Sequence, residues 1–99
     1  MEQTELIAQI DALTDGIEHA AAMADWAEAA RLVDARWSLV ALLSTDQPPI
    51  GIAAIRRMQA SNDRIFADAQ RAQQELTDEY QAAMSRVQAV GQYQSIANR

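Results

Sequence analysis

DWAEAARLVDARWSLVALL, residues 25–43, is the stretch on which the fold turns. Its first four residues, Asp25-Trp26-Ala27-Glu28, have the shape of a capping box: an Asp side chain accepts from the backbone three residues on, where a Glu stands. A helix is therefore predicted to open at Asp25 and run through Leu43. Trp26, Val33, Trp37 and Val40 form one apolar row on it, and Leu32, Leu39 and Leu43 a second. Together they cover about half the circumference, more than one neighbour needs, so this helix is read as the central one. Trp26 and Trp37 are expected in the core. Arg36 projects from the middle of the arc. Its stem is expected to pack, and its head to pair with a carboxylate on a neighbouring helix or a backbone carbonyl at a helix end. The rival reading makes Arg36 a charge held at a partner-binding face.

Upstream, Leu6, Ile10, Leu13 and Ile17 recur at helical spacing. A helix is predicted from an N-cap at Thr4 to about Ala22, with Gly16 inside it at a cost of about 1 kcal/mol against Ala. At about 100° per residue the Trp26–Val40 row falls about 180° from the Leu6–Ile17 row. One continuous helix would bury opposite faces in its two halves, so a break is predicted at Met23–Asp25.

Downstream, Ser44-Thr45-Asp46-Gln47-Pro48-Pro49 ends the central helix. Proline cannot continue a helix but can open one. From there a single phase holds for a long way. Ala54, Ile55, Met58, Asn62, Ile65, Phe66, Ala69, Ala72, Leu76, Tyr80, Ala83, Met84 and Val87 all fall within about 120°. A third helix is predicted over about 49–89, ending near Gly91 as a C′ residue, with residues 91–99 as a short tail. The fold predicted is all-α: one helical domain over 1–99, an antiparallel three-helix bundle with helices at about 4–22, 25–43 and 49–89.

The lengths matter. The first two helices would be roughly 28 Å long and the third roughly 55 to 60 Å. The apolar stripe on the distal half of the third would then lack an intramolecular cover. Exposed stripes of this kind mark interaction surfaces. Phe66, Ala69, Leu76 and Tyr80 are the candidate protein-binding residues.

Composition narrows the classes. The net charge is −6, and all basic residues are Arg, in a chain with 49% hydrophobic and 5% aromatic residues. An acidic surface without a basic cluster disfavours nucleic acid. The absence of Cys removes disulfides, thiolate zinc sites and thiol catalysis. No apolar run approaches the roughly 20 residues of a membrane span, and the N-terminus lacks a signal-peptide pattern. A cytoplasmic location without membrane attachment is expected.

Catalysis has little to stand on. His19 is the one His, and the residue three before it is Gly16, so the Glu-x-x-His pattern of helical di-iron sites is missing. Asp11, Asp15 and Glu18 form one acidic face, and Glu75, Asp78 and Glu79 another; both are read as solvated surface. No phosphate-binding Gly-rich loop or nucleophile–base set can be assembled. No enzyme activity, metal or cofactor is expected.

Asp25-Trp26-x-Glu28, then Leu32, Val33, Arg36, Leu39, Val40 and Leu43, resemble the second helix of the FliT-type flagellar export chaperones. Gln47-Pro48-Pro49 resembles the linker of that family, Asn62 with Ile65 and Phe66 its long-helix Asn, and Tyr93 its C-terminal Tyr. The resemblance covers about three quarters of the chain. It implies a cytosolic bacterial chaperone that binds a filament-cap protein of the FliD type before export. Contacts with the flagellar master regulator and with export ATPase components are further implications. Only Gln94 to Arg99 follow Tyr93, so the regulatory C-terminal helix of the family is expected to be shortened. A homodimeric helical adaptor without an export client is the alternative reading.

Overall fold

Three α-helices make up the computed structural model, which describes residues 1–98: α1 (Gln3–Ala22), α2 (Trp26–Val40) and α3 (Pro49–Ala97). Among the described residues there is no strand. Tertiary contacts group the chain into two compact units, Met1–Phe66 and Ala67–Arg99.

The break between α1 and α2 lies where the apolar phase inverts. Asp25 N donates to Ala20 O at 2.9 Å and Ala24 N to Ala21 O at 3.0 Å, the paired bonds of a Schellman turn. Ala24 takes the left-handed position with φ 57°, a conformation that favours Gly. Asp25 then caps α2, its side chain accepting from Glu28 N at 3.1 Å.

The buried face of α1 carries Leu6, Ile10, Thr14, Ile17 and Ala20. Gly16 faces Leu32 on α2, where a Cβ would stand 3.2 Å from Leu32 Cδ1. The glycine that weakens α1 thus lets α2 come close. In α2 the buried residues are Ala29 and Arg36. In α3 they are Gly51, Ala54 and Ser61, all small.

Side-chain bonds order the elements of the first unit. Gln3 reaches Leu42 O and Ser44 N just past α2, while Thr14, farther along α1, meets Arg36. Sequence numbers therefore rise along α1 as they fall along α2. Asp11 pairs with Arg57 and Glu18 with Arg64, each at 2.7 Å, so numbers rise together along α1 and the start of α3.

Several boundaries differ from the sequence reading. α1 starts at Gln3, with Glu2 rather than Thr4 at the N-cap position and no side-chain cap. The Gln3 amide is occupied instead in tying down the α2–α3 connection. α2 ends at Val40 rather than Leu43. Leu42 N and Leu43 N bond to Leu39 O and Val40 O, tightening the last turn, and Leu42 O accepts from Gln3. α3 does open at Pro49, but it passes through Gly91 to Ala97, and the short tail predicted from residue 91 is helical through Ala97. Gly91 has no positive φ and nothing near its missing Cβ, so it is an ordinary helical residue with no proline behind it to stop the helix.

The acidic face of α1 was read as solvated. Asp11 and Glu18 remain 36% and 41% exposed and at the same time hold arginines of α3. Each pair joins residues 46 positions apart in sequence, beyond the span of any local pattern. No helix among the described residues is long and apolar enough to cross a membrane.

Candidate functional site

The four residues singled out in sequence all lie on α3. Phe66 is the last residue of the first unit and is 65% exposed. Ala69, Leu76 and Tyr80 belong to the second unit. Leu76 is 67% exposed and Tyr80 65%; Ala69 is half-buried. By helical phase Ala69, Leu76 and Tyr80 lie within about 40° of one another. Leu76 and Tyr80, four residues apart, are neighbours on the helix surface. Val87 and Val90 continue the apolar exposure, and a shallow hollow farther along is lined by Ala83, Arg86, Val87, Val90, Gly91 and Gln94. Tyr93 and Ile96 are exposed too, but by phase they fall well away from the Leu76–Tyr80 row.

This surface is apolar without being uniformly so. Gln73 lies by phase about 20° beyond Tyr80, at the edge of the row, and its carbonyl accepts from Thr77 Oγ1. Gln74 donates to Asp78 and Arg71 pairs with Asp68, both within α3. By phase these pairs lie about 100 to 180° from the apolar row, on the far side of the helix, and place no charge within it.

A second surface, in the first unit, was not foreseen. Trp37 is 71% exposed, and Trp26 and Val33 are exposed as well, where the Trp residues were expected in the core. The helical phase explains it. The centre of the apolar arc of α2 is held by Ala29 and Arg36, and Trp26 and Trp37 lie about 80 to 100° from Arg36, at the rim. A hollow of about 220 Å³ opens there, lined by Val33, Asp34, Arg36, Trp37, Val40, Met58 and Asn62.

Arg36 itself is 4% exposed. Nη1 donates to Thr14 Oγ1 at 3.0 Å and Nη2 to Asn62 Oδ1 at 2.6 Å. Thr14 Oγ1 in turn donates to Ile10 O at 2.9 Å. The expected carboxylate or carbonyl partner is replaced by a hydroxyl and an amide, and among the described residues no carboxylate pairs with Arg36. Burial lowers the pKa of this guanidinium from its usual range. Ser61, in the same region of α3, is fully buried and its hydroxyl has no partner.

Among the described residues no group of three His, Asp or Glu side chains is arranged to hold a metal ion. His19 is exposed.

Comparison with known proteins gives one match. No curated protein and no solved structure matches at a significant level. The model of one protein family, described as flagellar protein FliT, matches residues 4–95. That match spans all three helices and both surfaces described above, and the chain belongs to the FliT family of flagellar proteins.

Proposed function

We propose that this chain is a cytosolic flagellar export chaperone, built as an antiparallel three-helix bundle with an extended third helix. Its client is a filament-cap protein of the FliD type, and the segment held is an amphipathic helix of that client. The observation that carries the reading is the exposure of Leu76 and Tyr80 on one face of α3 in a member of a chaperone-type flagellar family. An amphipathic helix laid on that face would bury its own apolar side by helix-in-groove packing. Ala69 and Ala83 allow close approach, because small side chains let two helix backbones come together. The mechanism is steric: the surface through which the client self-assembles stays covered until export.

Sedimentation equilibrium of the chain alone and mixed with the filament-cap protein of the same bacterium tests this reading. A complex with one chaperone chain and one client chain is the expected result. A stable homodimer that takes up no client would replace the reading with that of a self-associating adaptor.

A further inference from the structure

The hollow beside Trp37 carries an inference of its own. We propose that it is a docking pocket for an acidic side chain, Asp or Glu, set among apolar residues on a partner protein's helix, with Arg36 as the recognising cation. The argument is charge complementarity. A guanidinium buried to this degree is costly unless an anion compensates it. Thr14 and Asn62 supply hydrogen-bond acceptors but no charge. Either residue could serve equally well beside a neutral amide donor, so the positive charge is left unanswered inside the chain.

The walls fit the same occupant. Val33, Trp37, Val40 and Met58 are apolar, and about 220 Å³ is room for one side chain rather than for a whole helix. Trp37 at the rim is a large, rigid, exposed aromatic, the residue type most enriched among binding hot spots. Asp34 is the one carboxylate lining the hollow; it forms no ion pair with Arg36, and an incoming acid has to approach the guanidinium against its charge. The remaining groups facing Arg36 from α1 and α3, Thr14 and Asn62, are uncharged. This pocket is separate from the Leu76–Tyr80 row and does not rest on the chaperone reading.

The test uses a displayed library of randomised helical peptides, selected against the full-length wild-type chain and against Arg36→Met. Arg36→Met keeps an apolar stem of similar length and removes the charge. The expected result is enrichment of a single Asp or Glu flanked by apolar residues on the wild type, and loss of that acidic preference on Arg36→Met. A selected peptide should bind about tenfold more weakly when its acid is replaced by Asn or Gln. Trp37→Glu keeps the test valid if Arg36→Met fails to fold, since Trp37 is exposed and its replacement leaves the interior intact. It should abolish binding of the acidic peptides with thermal stability unchanged, whereas Tyr80→Glu should leave their binding unchanged. Three results would overturn the proposal: selected peptides without acidic enrichment, equal enrichment on Arg36→Met, or peptides that lose binding on Tyr80→Glu and keep it on Trp37→Glu.

Discussion

Arg36 Nη2 lies 2.6 Å from Asn62 Oδ1, a charged donor on α2 meeting a neutral amide on α3. With the bond from Arg36 to Thr14 on α1, one side chain joins all three helices. Its removal should therefore be felt as lost packing as much as lost charge. Arg36→Ala is expected to cost about 1–3 kcal/mol, and Arg36→Met markedly less, because the stem is kept and both neutral partners can be resolvated. Asn62→Ala leaves a buried charged donor short of an acceptor and should cost about 1–3 kcal/mol. Urea denaturation measures each. Arg36→Ala as stable as wild type would contradict this account of the helix junction.

The α1–α2 turn makes a second prediction. Ala24 holds a left-handed backbone at φ 57° that Gly adopts without a Cβ penalty. Ala24→Gly should raise stability by about 1 kcal/mol, while Asp25→Ala, which removes the cap on Glu28 N, should lower it by about 0.5–2 kcal/mol. Thermal melts should move in opposite directions for the two variants.

Acid titration supplies a third. A hydrogen bond from Arg31, and then the charge of that guanidinium, hold the Glu28 carboxyl below its ordinary value of 4.5. A lowered folded-state pKa stabilises the fold above the unfolded value, and the effect is lost as pH falls through the folded one. Glu28→Gln should therefore be slightly less stable than wild type near neutral pH and equal to it in strong acid. A difference that persists undiminished in strong acid would assign the effect to packing instead.

Much of the helical layout was readable because periodicity is local. The phase inversion between Ile17 and Trp26 placed the break, and Pro48-Pro49 placed the start of α3. Helix ends were harder, since long-range bonds act there: the Gln3 amide, on the first residue of α1, bonds Leu42 O and Ser44 N just past the end of α2. The rim position of Trp37 was legible in principle from the angular centre of the arc at Ala29 and Arg36. A tryptophan's size points to the core, but its angle on the helix points to the rim, and the angle prevails. The pairing of Asp11 with Arg57 and of Glu18 with Arg64 depends on which faces meet in three dimensions, and no local pattern carries that.

The most direct test of the account is calorimetric binding of the filament-cap protein to wild type, Leu76→Glu and Tyr80→Glu, with the melting temperature of each variant measured alongside. Leu76 and Tyr80 are two-thirds exposed in the chain alone, so both variants should fold with wild-type stability. Each should lose about 2 kcal/mol or more of binding free energy, as expected for a hot-spot residue. Variants that fold and bind the client as wild type does, or that unfold because the row is core, would contradict the assignment of the client site to α3.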